Sequence, residues 1–197
     1  MPKPGYVSAS MAKAVMTKGR GKCVDYGETF LTQAKAIAAG MVDWDVSSDI
    51  SNMPAVKWGI ENEPLAVAEY ELQTMSEVHS AQIWINHKTL NAGCTPDGLV
   101  GTDGMIEIKC PMPHNHLDNI LSLAQLPTYI GQIQFSLWIT NRKWCDFVSY
   151  HPEAPEGLQI KIERVNRDED FISALAIRTD FMLVTASNFA EQLKKLM

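Results

Sequence analysis

The stretch Thr95-Pro96-Asp97-Gly98-Leu99-Val100-Gly101-Thr102-Asp103-Gly104-Met105-Ile106-Glu107-Ile108-Lys109-Cys110 reads as a β-hairpin with acids on its strands. Gly101 to Gly104 supplies the turn chemistry, and apolar residues flank it. From Ile106 onward the residues alternate. Glu107 and Lys109 therefore share one face, and Ile106 and Ile108 the other. A three-residue loop Thr102-Asp103-Gly104 gives Gly104 the left-handed position. It pairs Gly101 with Met105 and sets Asp97 opposite Lys109. In that register Asp97, Glu107 and Lys109 lie on one face. A two-residue loop would send Asp97 to the other side, because a one-residue slip turns every side chain over.

Two carboxylates on one face are hard oxygen ligands suited to Mg²⁺, which keeps open positions for water and phosphate. A lysine beside them can orient or deprotonate an attacking water, or neutralise charge on a phosphate; as a general base it would need a lowered pKa, which a nearby cation favours. Such a set is equipped for metal-assisted phosphodiester hydrolysis. The competing reading is an exposed polar face on an ordinary hairpin. Pro-Asp-Gly followed by Glu-x-Lys across one turn is the more specific pattern, and it favours the metal site.

These residues fit the PD-(D/E)xK nuclease pattern. Thr95-Pro96-Asp97-Gly98-Leu99 and Glu107-Ile108-Lys109-Cys110-Pro111 closely resemble the phage lambda exonuclease family, also called the YqaJ-like or alkaline exonuclease family. So does the run from Tyr129-Ile130-Gly131-Gln132 to Thr140. Trp58-Gly59-Ile60-Glu61-Asn62-Glu63 is similar to an upstream acidic motif, and Ser8-Ala9-Ser10 to a small-hydroxyl segment. The resemblance runs from about residue 5 to about residue 152.

The resemblance implies a restriction-endonuclease-like α/β core, a central mixed β-sheet flanked by helices. It implies a metal held by Asp97, Glu107 and the backbone carbonyl of Ile108, with Glu63 as a further ligand. Glu61 competes with Glu63, and an acid at a helix start also simply favours the dipole. Lys109 and Gln132 would act on the nucleophilic water. Gln132 is otherwise a polar edge of an amphipathic helix, and Gln134 points to another side. Ser10 and Arg20 fall where the family holds a 5′-phosphate. Lys3 stands where the family has an arginine, and it lacks that side chain's bidentate fork.

The implied activity is a Mg²⁺-dependent 5′-to-3′ exonuclease, with Mn²⁺ as a substitute. It would degrade one strand of linear double-stranded DNA and leave a 3′ overhang for strand annealing. The implied setting is a homotrimer ring, a single-strand annealing recombinase as partner, and the cytoplasm of a bacterial host carrying a phage or prophage. A DNA endonuclease of the same core and a silent DNA-end-binding module are the alternatives. Intact Asp97, Glu107 and Lys109 argue against the silent module.

The 197 residues suit one domain, 1–197, with a sizeable core. No apolar run reaches the length of a membrane span, and the start lacks a signal-peptide pattern. Cys23, Cys94, Cys110 and Cys145 lack metal-ligand spacing and read as reduced thiols. His114 and His116 read as loop histidines. The net charge of −6 argues against a generic nucleic-acid binder. It leaves room for a nuclease, whose cation offsets the site carboxylates. Lys13, Lys18, Arg20 and Lys22 form the best basic cluster, equally readable as a solvated helix end.

Patterning along the chain predicts a short helix from Ser8 or Ser10 to Met16 with a serine N-cap. A second helix is expected over Asp25 to Ala39, stopped by Gly40. A third should begin near Glu63, because Pro64 is tolerated in a first turn. Its buried stripe would be Ile60, Val67, Ala68, Leu72 and Met75. A strand near Gln82 to Asn86 precedes the hairpin, which Pro111-Met112-Pro113 ends. A polar segment then leads to a helix over Pro127 to Thr140. Strands follow over Lys143 to Tyr150 and Leu158 to Val165. A last helix begins near Asp168, its stripe Phe171, Leu175, Phe181 or Met182, and Phe189.

Overall fold

The computed structural model describes residues 3–19, 26–46, 52–79 and 83–197. The chain opens with β1 (Val7–Ser8), a 3₁₀ turn (Ala9–Met11) and α1 (Ala12–Met16). Next come α2 (Glu28–Gly40), α3 (Pro54–Thr74), β2 (Val78–His79), β3 (Ile85–Asn86) and β4 (Ala92–Cys94). The hairpin is β5 (Gly98–Val100) and β6 (Gly104–Lys109). Then come α4 (Pro113–Ser122), α5 (Leu126–Thr140), β7 (Trp144–Tyr150), β8 (Ile160–Asn166) and α6 (Glu169–Lys194).

The main sheet has five strands in the order β2-β5-β6-β7-β8. Only β6 and β7 run parallel; the other pairs are antiparallel. A parallel pair needs a crossover connection, and α4 with α5 provides it. A second sheet, β1-β4-β3, pairs the chain's start with the segment just before the hairpin. This is a mixed α/β fold with sheets flanked by helices, in line with what the family resemblance implies.

Strand β6 is covered on both faces, which its alternation dictates. Ile106 and Ile108 pack with Val148, Tyr150, Ala66 and Tyr70, the last two from α3. Met105 packs the other way with Cys145, Phe147, Ile133 and Leu137, the last two from α5. A larger cluster joins α1, α2, α5 and α6 through Val15, Phe30, Phe135, Leu175 and Met182. Asp168 caps α6, its carboxylate accepting the Phe171 N–H at 2.9 Å.

Several expectations need correction. The hairpin loop is Gly101-Thr102-Asp103, because Val100 pairs with Gly104 and Gly98 with Ile106. Gly101 carries the left-handed backbone, φ +51°, and Gly104 does not. Gly104 is glycine because the Trp144 indole lies where its Cβ would be. Relative to the expected register the pairing moves by two residues, so face parity is kept and Asp97 still falls on the side of Glu107 and Lys109.

Helix α3 begins at Pro54, well before Glu63, and carries Pro64 in its interior. Pro64 is exposed, so the carbonyl it leaves without a helical partner is on the outer side of the helix. The buried side of α3 is Asn62, Ala66 and Tyr70. Ile60, Leu72 and Met75 are exposed. Of the expected apolar stripe only Val67 packs against the core, because the face that α3 turns to the sheet is the one through Asn62, Ala66 and Tyr70. The polar segment after Pro113 is helix α4, and His116 is buried on it. The first-turn serine cap is absent: Ser8 makes no capping bond. Asp25, Arg20, Lys22 and Cys23 lie outside the described residues.

Candidate active site

Residues of β6 and the chain just before β5 meet side chains from α5. Asp97 leads into β5, and its Oδ2 accepts the backbone N–H of Ile108 at 2.7 Å. That bond anchors the carboxylate to β6, one residue from Glu107. Glu107 is 2% exposed, and its Oε1 accepts from two donors. One is Lys109 Nζ at 2.5 Å. The other is Gln132 Nε2 at 2.6 Å. Gln132 reaches it because α5 lies across this face of β6. One turn earlier on α5, the Tyr129 ring lies 5.0 Å from the Lys109 ammonium. Tyr129 is itself stacked on Phe147, 5.6 Å between centroids.

The electrostatics follow from burying like charges together. Burial and the Glu107 carboxylate push Asp97 up to about 8, against the pull of Lys109 and of the Ile108 N–H; Glu63 adds to the rise. Burial alone would lower the Lys109 ammonium. The Glu107 and Asp97 carboxylates outweigh it and hold Lys109 above the usual lysine range. Burial and Glu63 push the Cys110 thiol up to about 12. Glu63 therefore lies close enough to act on both Asp97 and Cys110, whereas its competitor Glu61 is exposed.

Among the described residues no group of three or more His, Cys, Asp or Glu side chains gathers as a metal cluster. The two carboxylates brought together beside Lys109 are Asp97 and Glu107. They fit a hard divalent ion. Both are oxygen donors, and the charge they share is relieved only in part by Lys109, as the raised Asp97 shows. The Ile108 carbonyl is the backbone oxygen that lies between Glu107 and Lys109 along β6.

Of the phosphate-holding candidates, Ser10 and Lys3 are described and make local contacts. Ser10 is exposed, its hydroxyl 2.9 Å from that of Ser8. Lys3 stands over the Tyr6 ring, 4.4 Å from its centroid, and donates to the Tyr6 hydroxyl at 3.2 Å. No contact among the described residues joins Lys3 to Ser10. Lys13 and Lys18 are exposed. Gln134 faces away, bonding the Asn166 carbonyl and the Asp168 N–H at the start of α6.

Residues 2–143 match the family described as the YqaJ-like viral recombinase domain. The chain belongs to that family. The alkaline exonuclease LHK-Exo from Laribacter hongkongensis superposes with a TM-score of 0.86 at 31% identity, over 98% of this chain and 93% of its own. LHK-Exo solved in complex with dAMP gives 0.85 at 32%, with the same coverage. A phage related exonuclease from Haemophilus somnus 129PT shares the fold, with a TM-score of 0.75 at 14% identity over 98% and 96%. No curated protein sequence matches the chain. Membership and likeness together support a nuclease.

Two features of this YqaJ-like chain escaped the sequence reading. Tyr129 was legible only as part of an apolar helix face, yet its ring holds the Lys109 ammonium. Asp146 on β7 is 2% exposed. It accepts from the Tyr70 hydroxyl at 2.8 Å and from Arg164 at 2.8 and 2.9 Å. Tyr70 belongs to α3, so this bond fastens to the sheet the helix that carries Glu63. A charged residue at an inward position of an apolar strand is the signal that points to it. No helix of the described residues is long and apolar enough to cross a membrane.

Proposed function

We propose that residues 1–197 form one nuclease domain, a Mg²⁺-dependent deoxyribonuclease acting on linear double-stranded DNA. It removes nucleotides from the 5′ end of one strand and leaves a 3′ single-stranded overhang. The observation that carries this reading is Glu107, buried beside Asp97, with one carboxylate oxygen shared by Lys109 and Gln132. The family and the likeness to LHK-Exo support the exonuclease form of the activity.

Asp97, Glu107 and the Ile108 carbonyl would hold the metal, with Glu63 as the further ligand the family resemblance implies. The ion supplies a water of lowered pKa and charge stabilisation at the leaving oxygen. Lys109, kept protonated by its carboxylate neighbours, orients the attacking water and faces the phosphate. Gln132 holds Glu107 in place, and Tyr129 limits where the Lys109 ammonium can go. Placement on a strand and a helix, rather than on loops, keeps the set in working geometry. Ser10, Arg20 and Lys3 are the proposed contacts to the 5′-phosphate. A homotrimer ring, a single-strand annealing recombinase partner and a phage or prophage setting in the bacterial cytoplasm complete the proposal, all resting on the family resemblance.

The test is digestion of linear duplex DNA labelled at either end, with Mg²⁺, with Mn²⁺ and with chelator, beside a closed circle. Early release of the 5′ label from linear DNA alone, and only with metal, is the expected result. Cutting of the circle would assign an endonuclease instead. No cleavage with any metal would assign a silent end-binding module. Glu107→Ala should abolish cleavage while DNA binding in Ca²⁺ persists, and unchanged cleavage by that variant would overturn the site.

A further inference from the structure

A chain of buried hydrogen bonds ties the strand pair that bears Lys109 to the head of α5. Ser149 on β7 is the register partner of Lys109 on β6. Ser149, His116 and Asn119 are all buried. His116 Nε2 lies 2.8 Å from the Leu158 carbonyl, which can only accept. Nε2 therefore carries the ring proton, and Nδ1 is the bare nitrogen. Ser149 donates its hydroxyl proton to that Nδ1 at 2.9 Å. The Ser149 oxygen accepts from Asn119 Nδ2 at 3.0 Å. The other Asn119 amide hydrogen goes to Gln125 Oε1 at 3.0 Å. Asn119 Oδ1 accepts the Gln125 backbone N–H, also at 3.0 Å.

Each donor along this chain has one acceptor, so its direction is fixed from Asn119 through Ser149 and His116 to Leu158. A satisfied buried network of this kind specifies one arrangement of the elements it joins. Gln125 immediately precedes α5, the helix that delivers Tyr129 to Lys109 and Gln132 to Glu107. Asn119 thus grips both sides of the site. One side is the strand position beside Lys109. The other is the start of the helix that bonds Glu107.

We infer that Asn119 is a positioning residue for Gln132, Glu107 and Lys109, acting through Gln125 and Ser149. This rests on the nuclease reading above. A catalytic group displaced by about 1 Å costs on the order of 100-fold in rate. A partial loosening of α5 should therefore lower turnover about 10- to 100-fold.

The experiment measures kcat, KM for a linear DNA end and DNA affinity in Ca²⁺, well below the melting temperature of each variant. Asn119→Ala should lose turnover within that range with KM and affinity unchanged. Added to Gln132→Ala, it should cost less than the product of the two losses, because the α5 arm acts through the Gln132–Glu107 contact. Wild-type turnover in Asn119→Ala overturns the inference, and so do losses that multiply in the double variant. If Asn119→Ala does not fold, Ser149→Ala cuts the strand arm of the network and Gln125→Ala removes the side-chain bond of the α5 arm, leaving its backbone bond. Unchanged turnover in both overturns the inference, and a fall in either supports it. The Gln132 side-chain amide signal in ¹⁵N NMR gives a readout that needs no turnover. It should move in the folded positioning variant even if the wild type cleaves nothing, an outcome that sinks the nuclease reading alone. An unmoved signal overturns the positioning role.

Discussion

Raising the pH from 7 to 9 should tighten divalent-metal binding about tenfold, because Asp97 must lose a proton to act as a ligand. Burial and the Glu107 carboxylate push Asp97 up to about 8. A group titrating there is about one-tenth ionised at pH 7 and about nine-tenths ionised at pH 9. The stability of the metal-free protein follows the same titration with the opposite sense. Asp97 titrates higher in the fold than in the unfolded chain, so its contribution favours the fold below about pH 4 and is lost as pH rises towards 8. Metal bound to the ionised carboxylate opposes that loss. The rise in Tm produced by a fixed Mg²⁺ concentration, against a chelator control, should therefore grow with pH and level off above about 8. Calorimetry or fluorescence melts from pH 6 to 9.5 at one ionic strength would measure it. Lys109→Gln keeps both carboxylates and removes the positive charge that holds Asp97 down, so the step should move to higher pH. A Mg²⁺-induced shift that is flat between pH 6 and 9 would refute the reasoning.

Asp146→Ala should destabilise the protein by about 3 kcal/mol in urea denaturation, because it strands the Tyr70 hydroxyl. The figure is held down because the Arg164 side chain is 53% exposed and rehydrates. Tyr70→Phe should cost only about 1 kcal/mol, since Asp146 keeps Arg164. Thr179→Val should stabilise by about 1 kcal/mol, because the Thr179 hydroxyl is buried with no hydrogen-bond partner among the described residues. A lower Tm for that variant would contradict the account. Tyr129→Leu should slow cleavage about two- to fivefold through loss of the ring beneath Lys109, while Tyr129→Phe should not.

The part of the site read most directly from sequence is the part set by period-two alternation. Asp97, Glu107 and Lys109 share a side because a shift of two residues in register leaves every side chain on its own face. That is why a misplaced loop did no damage. Glycine at both Gly101 and Gly104 satisfies local turn rules equally. What separates them is Trp144, forty positions on from Gly104, whose ring excludes a side chain there. Local turn chemistry carries no information about such a neighbour. Arg20 falls outside the described residues, and exposed Lys3 and Ser10 have no packing that alternation or helical period could register.

The helices that were misjudged share one physical property: they bury polar faces. α3 turns Asn62 and Tyr70 inward, and α4 turns His116 and Asn119 inward. A search for apolar residues at helical spacing finds the wrong side of α3 and finds no helix at α4. Burying such groups is costly unless each finds a partner. The partners found are Asp146 for Tyr70, and Ser149 for both His116 and Asn119. Those bonds cross to β7, the strand parallel to the one bearing Glu107 and Lys109. An apolar interface would hold either helix as firmly, but it would let the helix slide by a fraction of an ångström at little cost. Directional bonds to fixed acceptors do not. The two places where hydrophobic patterning fails are thus the places where the chain gives up easy burial for orientation, with α3 carrying Glu63 and α4 steadying the start of α5.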